Sequence, residues 1–246
     1  MSKIFDALEH ARMERIVLTE PQEARPAVQL PAEVGKAQVD MEQEMISLYQ
    51  TITASLPAVD HPSVLLMGSR SDEGTSTVAQ QLAKTVSLRL EKSVLLIDLD
   101  RSRPDFHVYV NCGQEKQDDG ADGVGNCLEN AMHQVEASSL YVMPLFERTM
   151  LTPGTLDTVK GEAFWGPLKK RFELIIVDSP PATLFPDGPG IVSQVDGVIL
   201  VVEAERTRWQ VALAVKEKIV KHGGNILGIV FNKRRYYIPR FIYKHL

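Results

Sequence analysis

The sequence predicts a doubly wound α/β fold, a mostly parallel sheet with helices on both faces, and three observations lead to it. From Val64 onward short apolar runs alternate with stretches of helical periodicity. Runs such as Leu174-Ile-Ile-Val177 and Val198-Ile-Leu-Val-Val202 are apolar without a break, as strands covered on both faces must be. Polar clusters follow three of these runs directly, where ligands sit in open sheets of this kind.

Taken in order, residues 1–16 place Ile4, Leu8 and Ala11 at helical spacing with charges between them, which predicts a short amphipathic helix. Residues 17–39 carry Pro21, Pro26 and Pro31 among scattered charges and read as a linker. A second amphipathic helix is expected over 40–56, stopping before Pro57. The α/β domain then spans 57–232, with strands at 64–67, 93–98, 140–143, 173–177, 197–202 and 225–231. Its helices fall near 75–90, 160–171 and 207–222. Residues 111–139 interrupt the alternation with a Gly-rich acidic stretch containing Asp118, Asp119 and Asp122, read as a mobile surface insertion. Residues 233–246 form a basic tail carrying Tyr236, Tyr237 and Tyr243.

Composition narrows the function classes. A net charge of -5 gives no global attraction to nucleic acid, and none is expected as a partner. No apolar run approaches the roughly 18 residues of a membrane span, and the first residues lack the apolar core of a signal peptide. The two cysteines, Cys112 and Cys127, lack metal-ligand spacing and read as reduced thiols of a cytoplasmic protein. The six histidines show no ligand spacing either. Trp209, between Arg208 and a helical stretch, reads as a half-buried anchor in preference to a partner contact.

Three strand ends carry the chemistry. After Val64-Leu-Leu-Met67 comes Gly68-Ser-Arg-Ser-Asp-Glu-Gly74-Thr75-Ser76-Thr77, leading into a helical pattern with Val78, Leu82 and Val86 on one face. This is the strand–loop–helix setting of a phosphate-binding loop, in which backbone N–H groups and a helix N-terminus hold an anion. Gly74, Thr75, Ser76 and Thr77 are the nucleotide-binding candidates, and Ser76 occupies the slot whose hydroxyl ligates magnesium. The second end is Leu95-Leu-Ile-Asp98-Leu-Asp100, whose paired acids suit metal-bound water or activation of an attacking hydroxyl. The third, Ile175-Ile-Val-Asp178-Ser-Pro-Pro181, sets a strand-end aspartate in the position of a magnesium-facing carboxylate. The bland alternative is that Asp98 and Asp178 serve as helix caps or turn formers.

The segments Asp72-Glu-Gly-Thr-Ser-Thr77, LLIDLDRSRP and IIVDSPP resemble the GEGKST, LLIDxDxRRP and IIDTPP segments of the bacterial tyrosine kinases of capsule and exopolysaccharide export, the BY-kinases. These belong to the deviant-Walker P-loop ATPases. The resemblance covers about 40–246 and includes Leu227-Gly-Ile-Val-Phe-Asn232; the opening SKIFDALEHA is similar to the start of proteins encoded with such export systems. It implies ATP and Mg²⁺ as cofactors, with Ser76, Asp100 and Asp178 at the metal, Asp98 activating a tyrosine hydroxyl and Asn232 against adenine. It also implies Tyr236, Tyr237 and Tyr243 as phosphate acceptors, and a membrane-embedded polysaccharide co-polymerase or chain-length regulator as partner.

Two positions depart from the family pattern. Thr75 stands where the loop lysine places a cation on the phosphates, and Asp72 adds an anion where relatives have glycine. Together these should cost about 10²–10³ in rate or more, unless Arg70, Arg101 or Arg103 supplies the charge. In the 40–56 helix the family's Glu-x-x-Arg-x-x-Arg, which joins subunits into a ring, reads Glu44, Ser47, Gln50, so self-association by that route is not expected. The leading expectation is a nucleotide-binding regulator of a membrane co-polymerase with attenuated catalysis, cytoplasmic and recruited to the inner face of the membrane. An active protein-tyrosine autokinase is the alternative, and a partitioning-type ATPase ranks last because such proteins keep the loop lysine. The tail's five Lys/Arg and no acid also fit contact with an anionic membrane surface, while Ile238, Phe241 and Ile242 fit docking on the domain.

Overall fold

The computed structural model describes residues 41–99, 132–144, 159–183 and 191–234. The amphipathic helix at 1–16, the 17–39 linker, Asp100, Arg101, Arg103, both cysteines and the three tail tyrosines lie outside these residues. In chain order the elements are α1 (Glu42–Ser55), β1 (Ser63–Gly68), α2 (Thr75–Arg89), β2 (Val94–Asp98), β3 (His133–Gln134), β4 (Leu140–Pro144), α3 (Val159–Arg171), β5 (Leu174–Asp178), β6 (Gly197–Glu203), α4 (Trp209–Lys221) and β7 (Ile226–Asn232).

These strands form one sheet in the order β3-β4-β2-β5-β1-β6-β7. Every neighbouring pair is parallel except β3 with β4. The unbroken apolar strands are buried residue by residue, β1, β2 and β5 along their whole length. Their side chains alternate between two cores. Val64, Leu66, Leu96, Ile176 and Ile199 face one, covered by Met45 and Ile52 of α1 and by Val78, Leu82 and Val86 of α2. Leu65, Met67, Ile97, Val177 and Leu200 face the other, covered by Phe164 and Leu168 of α3 and by Val215 and Ile219 of α4. Helices on both faces of a mostly parallel sheet are the doubly wound arrangement that the sequence predicts.

Two expectations need correction. The insertion expected over 111–139 gives way to ordered structure before its end: β3 pairs with β4, and Met132 and Val135 are buried beside it. A two-residue strand has too little length for alternation to reveal it. Trp209 is 69% exposed, not half-buried. The buried positions of α4 are Val215 and Ile219, one helical turn apart, so the helix docks through its C-terminal half and its first residue stands clear.

The N-terminal ends of the strands are tied by Asp196, in the turn before β6. Its carboxylate accepts from Ser63 N–H and Ser63 Oγ, both at 2.7 Å, and from Lys169 Nζ at 2.7 Å. Burial alone would push this carboxyl up, but the bonds from Lys169 and Ser63 outweigh burial and hold it below the usual aspartate range.

Candidate nucleotide site

The predicted cluster assembles at the opposite, carboxyl ends of the strands. Register fixes it: Asp98 at the end of β2 lies beside Asp178 at the end of β5, and Asp178 lies beside Leu66 of β1, two residues before the loop begins. Both aspartates are nearly buried, at 9% and 3% exposure. The chain leaving β5 is stitched to β1: Ser179 N–H and Oγ both donate to Leu66 O, and Ala182 N–H donates to Gly68 O at 2.9 Å. The loop after β1 therefore sits directly over the two acids.

Local backbone demands explain the residues of the loop. Asp72 adopts φ +65° and Gly74 φ +85°, the left-handed region that favours glycine and that aspartate tolerates better than most residues. A side chain at Gly74 would collide with the amide of Asn232. A Cβ on Gly68 would lie 2.6 Å from Thr75 Oγ1, so glycine there lets the threonine hydroxyl turn back over the strand end. The helix α2 starts at Thr75 without a side-chain cap. The N–H groups of Thr75, Ser76 and Thr77 have no intrahelical acceptor by geometry and face outward with the positive end of the helix dipole. Ser76 is buried at this first turn.

Sequence reading weighed Asp72 but passed over Glu73, which the structure makes the centre of the loop. Glu73 is 2% exposed. One carboxylate oxygen accepts from Ser69 N–H at 2.5 Å and Arg70 N–H at 2.9 Å; the other accepts from Ser69 Oγ at 2.7 Å and Thr207 Oγ1 at 2.5 Å. A carboxylate in the mouth of the loop would be bathed in solvent. This one lies beneath the loop and braces its first half from the core side. The only sequence signal was the Glu within Asp72-Glu-Gly74, in a segment where attention falls on the missing lysine.

The end of β7 closes the other flank. Asn232 Nδ2 donates to Glu73 O at 2.9 Å, and Asn232 Oδ1 accepts from Lys233 N–H at 2.9 Å. Lys233 in turn donates its ammonium to Asp72 O. Arg70, the describable candidate for a substitute cation, is exposed, with its backbone N–H committed to Glu73.

A serine hydroxyl near two strand-end carboxylates is an oxygen donor set of the kind Mg²⁺ accepts, and the outward N–H groups of the first helical turn suit phosphate. These residues fit a magnesium nucleotide. Among the described residues no group of three or more His, Cys, Asp or Glu side chains could hold a metal by itself, so phosphate oxygens or water would complete the shell.

No family model matches the chain. Among curated proteins it is similar to the tyrosine-protein kinase CpsD of Streptococcus agalactiae, 28% identical over 170 residues, covering 67% of this chain and 72% of that protein. It is also similar to the tyrosine-protein kinase YwqD of Bacillus subtilis, 25% identical over 201 residues, covering 76% and 80% of the two chains. Among solved structures, the kinase domain of the Escherichia coli tyrosine kinase ETK superposes with a TM-score of 0.65 at 18% identity, over 90% of this chain and 88% of that one. The VpsO kinase domain gives 0.57 at 25% identity, over 81% and 100%. Set beside the three strand-end segments and the sheet that aligns them, these relatives show that the chain belongs to the bacterial tyrosine-kinase family of P-loop ATPases.

Proposed function

We propose that this protein is a nucleotide-binding regulator in exopolysaccharide biosynthesis and export. It would act on a membrane-embedded polysaccharide co-polymerase from the cytoplasmic side, with catalysis attenuated. The observation that carries this reading is the contrast within one site. Asp98 and Asp178 keep adjacent places at the strand ends, while the residue at the head of α2 is Thr75, whose short hydroxyl turns back toward Gly68. A cation at that position stabilises charge developing on the transferred phosphoryl group, and its loss costs about 10²–10³ in rate. Ser76 and Asp178, with Asp100, would hold Mg²⁺; Asp98 would orient and deprotonate an attacking hydroxyl; the N–H groups of Thr75 to Thr77 would hold phosphate; Asn232 would stand beside the base. Bound Mg²⁺ would supply charge neutralisation on the phosphates. Recruitment to the membrane would come from the partner, since no helix of the described residues is long and apolar enough to cross one. A chimeric CapA2B2 protein among the structural neighbours is in keeping with a two-component arrangement.

The deciding experiment restores the lysine. Thr75→Lys should raise ATP turnover by about 10² or more over a nearly inactive natural protein. A natural protein whose calorimetric affinity for Mg-ATP is no better than roughly millimolar would rule out the nucleotide switch.

A second reading, an active autokinase, is favoured by one contact: a lysine ammonium, that of Lys233, does reach the loop, at Asp72 O. It requires phosphate on Tyr236, Tyr237 or Tyr243 after incubation with Mg-ATP, read by mass spectrometry and lost in Asp98→Asn. An unmodified tail in the natural protein removes this reading.

A further inference from the structure

We propose that Lys233 is a nucleotide-positioning residue: its ammonium latches the loop, and its methylene stem forms the surface against which the base of a bound nucleotide lies. The inference rests on the nucleotide-binding reading above and adds to it where the base sits and what holds it.

The sheet order leaves one side for a base. On the β5–β2 side of the loop stand Asp178 and Asp98, which suit metal and phosphate but not an uncharged ring. On the β6–β7 side the chain offers Asn232 and Lys233. A phosphate chain anchored on the first turn of α2 therefore extends its nucleoside toward the end of β7.

Lys233 is unusually well fixed for a residue just past a strand. Its backbone has φ +56°, a conformation that costs a non-glycine residue strain and persists where the surroundings enforce it. Here the Asn232 side chain enforces it by accepting the Lys233 N–H. That turn sends the side chain back across the loop instead of into solvent. Its Cε comes within 3.8 Å of where a Cβ on Gly74 would be, and the ammonium ends on Asp72 O, 3.9 Å from Glu203. With its charge engaged by a loop carbonyl and a neighbouring carboxylate, Lys233 is poorly placed to replace the missing loop lysine on the phosphates. What it presents is the stem, with the side chain 40% exposed at the lip of the site. A pinned hydrocarbon stem beside an amide is a serviceable face for an aromatic ring, since long charged side chains cover apolar surface with their methylenes.

The test separates base from phosphate. Affinities for ADP and for tripolyphosphate are measured by calorimetry on the full chain, on Lys233→Ala and on Lys233→Met, each also carrying Thr75→Lys so that weak phosphate binding does not hide the comparison. Lys233→Ala should weaken ADP about tenfold while tripolyphosphate changes by less than about twofold; Lys233→Met, which keeps the stem but not the latch, should fall between. ADP affinity unchanged in Lys233→Ala overturns the inference and leaves the nucleotide reading standing. Equal losses for both ligands also overturn it, because the residue then acts through charge or loop shape. If no protein in the series binds either ligand, the nucleotide reading itself fails and this inference with it.

Discussion

A glutamate with no cation against it is a costly thing to bury, and Glu73 is sustained by four neutral donors that converge on its two oxygens. Removing any one of them should be felt in stability before it is felt in chemistry. Thr207→Val should lower unfolding free energy by about 1 kcal/mol, and Glu73→Ala by about 1–3 kcal/mol, because the second leaves buried N–H and hydroxyl groups without an acceptor. Urea denaturation measures both. The motif residues Gly74, Ser76, Asp98 and Asp178 were legible because their spacing is local. Glu73 and Lys233 were not, since their meaning lies in partners 134 and 161 positions away, Thr207 and Asp72. No window along the chain brings those together.

At the level of elements, periodicity sufficed. Helices and parallel strands fall within about two residues of their expected limits because α2 buries Val78, Leu82 and Val86 at i, i+4 and i+8, and because β1, β2 and β5 are apolar throughout. Leu82→Ala, in the middle of that helical stripe and fully buried, should cost about 2–5 kcal/mol. What periodicity missed was β3, too short to have a period. It also gives no hint of Asp196, which joins the start of β1 to α3 and the turn before β6. Because the folded carboxyl is held below its unfolded value of about 3.9, the stability it contributes is complete above that value and drains away as pH falls through the folded one. Denaturant midpoints should therefore drop between about pH 5 and about pH 3 more steeply in the natural protein than in Asp196→Asn.

Across the whole molecule, the class of fold could be read from one sequence, but the strand order could not, since pairing partners are set by tertiary register. Assembly belongs to this scale too. Ser47 and Gln50 are exposed on α1, in the places where relatives carry arginines. The natural protein is expected to run as a monomer in light scattering, and Ser47→Arg with Gln50→Arg to shift it toward larger species; a natural ring would refute this. The lateral pairing of Asp98 with Asp178 has a consequence for the history of such a site. Their spacing is the interstrand repeat of a parallel ladder, about 4.8 Å, and is set by the interior of the sheet, not by any loop. Drift in the loop can silence the reaction without disturbing the acids, and drift back can revive it. The loss written at position 75 is thus reversible in a way that a loss at either strand end would not be, and silent and active lineages would stand a single codon's distance apart.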